Sequence, residues 1–312
     1  MKVTLKPKMT QKTKDYAFVA ILVAPAIIHF LLFWVYVNFD SLTIAFQNEA
    51  TGEWGFSNFE RFFTQFKRDW AADGAVKTSI ENTFITAFIN MFINEPMLIF
   101  ATYILFKKYF GHMIFRVGFY IPAIVGTTVS AIMLQYILGA TGPVAIWGNA
   151  LGFPISNEVL QSGFLNNFTT ARSTFHITSM LGLSGASIVI LTGAFQKIPR
   201  DLFDVGKLEG IGIFTEFVYL ILPCAWSTIG VMWIMTFASV WGSYNRVLLL
   251  TGGLYKTGNF AYYMFSASLG ATQGTESYNY PAAMGLLLTV VVAPLTLLLR
   301  KLSMKLVEPV EF

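Results

Sequence analysis

The stretch Ile198-Pro199-Arg200-Asp201-Leu202-Phe203-Asp204-Val205-Gly206-Lys207-Leu208-Glu209-Gly210 carries five charged side chains in thirteen residues, yet it lies between two long apolar runs. It continues to Leu220-Ile221-Leu222-Pro223. Pro199 suits the start of a helix, where its missing N–H costs nothing. Asp201 and Asp204 fall early in that helix, where negative charge favours the dipole. Gly210 and Gly212 end it in a sharp turn. The spacing predicts a short charged helix clamped between two spans and unable to bury itself.

Outward from this loop, charge-free apolar runs recur at about the 20-residue length that crosses about 30 Å of hydrocarbon. They are Ala17 to Val37, Thr83 to Phe106, Val117 to Leu138, Ile177 to Phe195, Phe217 to Val240 and Ala282 to Leu299. The fourth is rich in Gly and Ser, small residues that let helices approach closely in lipid. The first run is longer than a signal-peptide core, ends in Phe33, Trp34 and Tyr36, and lacks a small-residue cleavage site, so it reads as an uncleaved span. Of 312 residues, 55% are hydrophobic and 12% charged, half the charge of a typical soluble domain at about 25%. That balance excludes a soluble enzyme and a disordered chain.

Six spans put both termini on one side. Fourteen Lys and Arg flank that side, including Lys2, Lys6, Lys8, Lys12 and Lys14, and seven flank the other. The positive-inside rule therefore puts the termini in the cytoplasm. The expected organisation is an all-α integral membrane protein: a basic cytoplasmic tail at 1–16, a six-span domain at 17–300, and a cytoplasmic tail at 301–312. The net charge of +4 comes from span flanks and not from a clustered basic face, so no nucleic acid partner is expected. In the first outer loop Phe56, Phe59, Phe62, Phe63, Phe66 and Trp70 recur at helical spacing. They form a helix that either lies on the outer membrane surface or packs on the outer ends of the spans.

No P-loop, H-E-x-x-H or G-x-S-x-G motif occurs. Cys224 is the single cysteine, and His29, His112 and His176 are dispersed, so neither a metal site nor a catalytic set is expected. Glu95 stands at membrane depth beside Asn90, Asn94 and the helix breaker Pro96. Two readings stay open for it: a polar stripe facing a water-filled path, or a buried carboxyl tying helices together at a kink. Proton coupling through Glu95 would make the chain an ion-coupled secondary carrier; a membrane scaffold without transport is the other rival.

The loop resembles the EAA loop of the permease subunits of binding-protein-dependent ABC importers. Asp204-Val205-Gly206 stands where that family has E-A-A, Gly210 is its glycine, and Leu220-x-Leu222-Pro223 closes the motif without a gap. Asn82-Thr83, Phe115-Arg116 with Pro122, Thr251-Gly252-Gly253 and Tyr280-Pro281-Ala282-Ala283 resemble further blocks of the carbohydrate branch, in order and across nearly the whole chain. The resemblance implies a type I importer permease in the bacterial cytoplasmic membrane. Its cargo would be a sugar or oligosaccharide, with a polyol, glycerol phosphate or another small solute as the runner-up. It implies a second permease subunit, two ABC ATPase subunits that hold ATP and Mg, and an extracytoplasmic solute-binding protein, with no cofactor on this chain.

By the same resemblance, the coupling loop is 196–223 and its ATPase-coupling residues are Asp201, Asp204, Gly206, Lys207, Glu209 and Gly210. The sugar-lining positions of the maltose permease fall on Ala123, Thr127, Ser179, Leu183, Ala186, Ser239, Val240, Ser243 and Asn245. Small and polar residues here replace stacking aromatics there. Either the path is wider, or the paired permease holds the sugar; Trp241 and Tyr244 are nearby aromatics. Arg246 has two readings, a partner for an anionic sugar or a brace for an outer loop.

Overall fold

The computed structural model describes residues 11–48, 51–109, 111–180, 182, 185–270 and 278–306. In chain order the helices are α1 (Asp15–Ala45), α2 (Ser57–Ala72), α3 (Ala75–Phe106), α4 (His112–Ile124), α5 (Thr127–Ile137), α6 (Pro143–Ala150) and α7 (Asn157–Ser162). They continue as α8 (Ala171–Ser179), α9 (Gly185–Gln196), α10 (Arg200–Leu208), α11 (Ile213–Val240), α12 (Asn245–Leu250), α13 (Phe260–Ser268) and α14 (Asn279–Leu306). Among the described residues the β-pairing is an isolated bridge, Gln47 with Trp54.

Four helices, α1, α3, α11 and α14, are long and apolar enough to cross a membrane. The third expected run is built from α4 and α5 instead of one rod. Val125 turns extended (ψ 122°) and Gly126 then caps α5, so the chain re-aims in mid-run. The fourth expected run is likewise divided between α8 and α9. The tails expected at 1–16 and 301–312 lie partly outside the described residues.

Prolines shape the long helices. A proline has no N–H for the carbonyl four residues back, and its ring collides with that carbonyl. Pro96 and Pro223 each stand directly after a wider π-turn, Asn90–Asn94 and Phe217–Ile221, which holds the carbonyl four residues back. The π-turns absorb the mismatch without ending the helix, a local widening often found at functional positions.

The core is layered along the bundle. At the end of the bundle that carries α10, called inner after the expected topology, Leu98, Ile99, Tyr103 and Leu105 of α3 pack with Ile188, Leu191 and Phe195 of α9, Phe203 of α10, and Ile221 and Ile229 of α11. At the outer end, Phe62 of α2 is buried with Val76, Phe260, Tyr263, Tyr280 and Met284. Helix α2 therefore packs on the outer ends of the spans, the second of its two expected placements. Phe56, Phe63 and Trp70 stay exposed on its other side. Helix α1 contrasts with the rest. Its end, Val37–Ala45, packs against α14, while its apolar side chains from Phe18 to Phe39 remain open to the surroundings. Such exposure suits an apolar surrounding and not water, since burying each Leu or Phe contributes roughly 1.5–3 kcal/mol in water.

Candidate functional site

Two regions gather the expected functional residues, one at each end of the α3–α11 pair. At the inner end, Pro199 caps α10 in an extended conformation, and Asp201 sits in the first turn. Glu209 closes the helix and Gly210 follows at φ +70°, a left-handed conformation that favours glycine. Gly206 is buried under Ile211, whose Cδ1 stands 2.7 Å from where a Cβ would be, so a larger residue there would have to displace the Ile211 side chain.

One face of α10 is anchored. Phe203 packs on Phe106 of α3, with ring centroids 5.9 Å apart. Lys107 lies over the Phe203 ring at 4.6 Å and pairs with Glu216 of α11 at 2.6 Å, both side chains largely buried. The Tyr103 hydroxyl donates to the Ile213 carbonyl at 3.4 Å. Helix α10 is thereby tied to the inner ends of two membrane helices at once. Its other face is open. Asp201, Asp204, Lys207 and Glu209 are exposed, and so are two apolar residues, Val205 at 52% and Leu208 at 88%. Lys207 donates to Asp204 at 2.9 Å, which holds the Asp204 carboxyl below the usual carboxylate range. That pair is fully solvated and stabilises little.

Toward the outer half, α3, α8, α11, α12 and the start of α13 enclose a cavity of about 200 Å³. Ser179, Ser239, Val240 and Ser243 of the expected path line it, together with Thr86, Asn90, Asn94, Arg246 and Asn259. Thr127, Ala186 and Asn245 are exposed and do not line it. Ala123 belongs to α4, with its side chain outside the described ones, and Leu183 lies outside the described residues. A larger cleft of about 260 Å³ at the inner ends, lined by Leu105, Phe106, Ile188 and Val189 with Arg116 and Gln196, holds none of the expected path residues.

Polar bonds across helices build the cavity wall. Asn94 donates to Asn90 Oδ1 at 2.9 Å and to the Ser179 carbonyl at 2.8 Å, joining α3 to α8. Thr236 donates to Glu95 at 2.5 Å, joining α11 to α3 beside the π-turn. Glu95 thus ties α11 to α3, while Asn90 and Asn94 of the same helix line the cavity, so the structure holds elements of both its readings. Asn82 donates to the carbonyls of Lys256 and Gly258, both at 2.8 Å, and accepts from Arg172 at 2.8 Å. Thr83 accepts from the Phe260 amide at 2.9 Å. The Asn82-Thr83 pair therefore pins the loop after Thr251-Gly252-Gly253 to α3, next to Asn259 of the cavity wall. Arg172 also pairs with Glu81 at 2.8 Å. Among the described residues no group of His, Cys, Asp and Glu is arranged to hold a metal ion.

Comparison with known proteins places this architecture. No family model matches the chain. The chain is 27% identical over 299 residues to the probable ABC transporter permease protein YesP of Bacillus subtilis, covering 92% of this chain and 89% of that protein. It is 24% identical over 315 residues to the arabinooligosaccharides transport system permease protein AraP of the same organism, covering 94% and 90%. Among solved structures, it superimposes on a chain of the bacterial alginate ABC transporter in complex with an alginate pentasaccharide-bound periplasmic protein. The TM-score is 0.77 at 19% identity, covering 95% of this chain and 96% of that one. The fold is that of an ABC importer permease, and the curated relatives are ABC transporter permeases.

Proposed function

We propose that this chain, a relative of sugar ABC transporter permeases with the fold of an importer permease, forms one membrane half of an ATP-driven importer for a sugar or oligosaccharide. It spans the bacterial cytoplasmic membrane six times, with α4–α5 and α8–α9 each serving as a broken span and both termini in the cytoplasm. A second permease subunit completes the path. Two ABC ATPase subunits bind ATP and Mg and grip α10, and an extracytoplasmic binding protein delivers cargo to the outer loops.

One observation carries the reading: α10 leaves Val205 and Leu208 in solvent while Phe203, Lys107 and Glu216 bind its back to α3 and α11. An exposed apolar pair rimmed by charge is a surface for another protein, and its back is joined to the helices that wall the polar cavity. Motion imposed on α10 is delivered to the cavity. Asp201, Asp204, Lys207 and Glu209 form the charged rim of that contact, and Gly206 and Gly210 shape its end. Ser179, Ser239, Val240 and Ser243 line the cargo path.

The test is Gly210→Pro in the assembled importer. Proline cannot adopt φ +70°, so the exit of α10 must distort while the spans stay inserted. Assembly in the membrane is expected to persist, with ATP hydrolysis no longer stimulated by loaded binding protein and uptake lost. Normal uptake by this variant would contradict the proposal.

A further inference from the structure

The cavity contains more hydrogen-bonding capacity than the protein itself uses. Thr86 Oγ1, Asn94 Oδ1, and Nε and Nη2 of Arg246 are all buried and find no partner among the described residues. All three residues line the same cavity. Buried donors and acceptors are almost always paired, so a cluster of unpaired ones marks a place where a ligand completes the bonding.

The arginine makes the ligand specific. Nε and Nη2 lie on one edge of the guanidinium and form the fork that grips an oxyanion through two parallel bonds. Arg172, on the neighbouring α8, shows the same edge in use: its Nε donates to Asn82 and its Nη2 to Glu81. Arg246 has no carboxylate within ion-pair distance among the described residues. Its guanidinium carbon stands over the Phe175 ring, 5.8 Å from the centroid, and Nε and Nη2 find no hydrogen-bond partner among the described residues. The nearby Arg172 is already neutralised by Glu81. The cavity therefore holds one uncompensated positive charge at a site partly withdrawn from water, which an anion would offset.

We propose that Arg246 is the specificity-determining residue of this cavity and that the cargo is a carbohydrate bearing an oxyanion. The anion seats against Nε and Nη2, while Thr86 Oγ1 and Asn94 Oδ1 meet neighbouring sugar hydroxyls. The inference rests on the importer reading above and narrows its cargo from sugars at large to acidic ones, either uronates or sugar phosphates.

Equilibrium binding to the assembled membrane complex, without its binding protein, tests this with digalacturonate, galactose 6-phosphate and neutral galactobiose. At least one anionic probe is expected to bind about tenfold or more tighter than galactobiose. Which probe does so separates a carboxylate cargo from a phosphate one. Arg246→Gln should collapse that ratio toward one, and Arg246→Lys should retain part of it, because the charge survives and the fork does not. A wild-type ratio near one overturns the proposal without any variant, as does a ratio that survives Arg246→Gln. ATP-driven uptake of all three probes, measured alongside with the binding protein present, separates the two levels. Uptake with no anion preference removes the acidic cargo and leaves the importer standing, whereas no ATP-driven uptake of any probe removes both.

Discussion

The loop helix α10 and the outer cavity break the ordinary rules of burial in opposite directions. On α10 the misplaced groups are apolar and in water: Val205 and Leu208 face outward beside charged neighbours. In the cavity they are polar and out of water: Thr86, Asn94 and Arg246 hold unpaired atoms behind buried walls. On the two proposals above, each misfit is relieved by a different kind of partner, a protein surface in the first case and a polar small molecule in the second. Between them run α3 and α11, tied to each other through Lys107 with Glu216 and through Thr236 with Glu95. The contrast therefore separates contacts that hold the machine together from surfaces left for what it binds. Substitutions in the first class should change stability, and those in the second should change transport.

The largest stability effect is expected at the inner junction. Lys107→Met would leave the Glu216 carboxylate buried without its cation, at a cost of about 3–5 kcal/mol, and would also remove the charge above the Phe203 ring. The double variant Lys107→Met with Glu216→Leu should regain most of that loss, because well-packed apolar replacements of a buried ion pair are often neutral. Thermal unfolding of the purified complex in detergent measures both. A single variant as stable as the parent would show that α10 is not bound to α3 and α11 through this pair, and the mechanical link would have to lie elsewhere.

A smaller loss is expected at the kink. Thr236→Val keeps the shape of the side chain and removes the donor to Glu95, at about 1–3 kcal/mol for a buried acceptor left unpaired. Glu95→Gln keeps an oxygen for Thr236 and should retain ATP-driven uptake. Loss of uptake in Glu95→Gln with stability intact would revive an ion-coupled carrier and set Glu95 among the groups that act on cargo.

How much of this was legible beforehand depends on sequence distance. The limits of α10 could be read from Pro199 and Gly210, because capping and a left-handed turn are local properties. The apolar runs of α1, α3, α11 and α14 were readable for the same reason. The breaks in the third and fourth runs were not, since Val125 and Gly126 sit in a stretch whose average hydropathy is uninterrupted. The cavity was half legible: Asn90 and Asn94 share a helical face by their spacing, but their meeting with Ser179 and Arg246 joins elements far apart in the chain. The role of Asn82-Thr83 was invisible as chemistry. Its partners, Lys256, Gly258 and Phe260, lie more than 170 residues away. Arg246 could be read either way, because its place in the cavity wall depends on helices far from it in the chain.

The smallest effect concerns contacts that are both exposed and satisfied, a third class beside the two misfits. Asp73 closes α2 at φ 53° and bonds Lys256 at 2.5 Å and Lys77 at 3.1 Å. The bond to Lys256, then that to Lys77, holds its carboxyl below the usual carboxylate range. A depressed folded-state value means that the charged pair stabilises the fold above the ordinary carboxylate range, and that the contribution fades as pH falls through the depressed value. Asp73→Asn keeps a residue that tolerates the left-handed turn, so the comparison isolates charge. The variant should melt slightly below the parent at neutral pH, the difference should shrink in added salt, and it should fade in acid as pH falls below the ordinary carboxylate range through the depressed value. A difference that survives both treatments would mean that Asp73 acts through packing, and its contacts with Lys256 and Lys77 would then belong with the structural ties of α3 and α11.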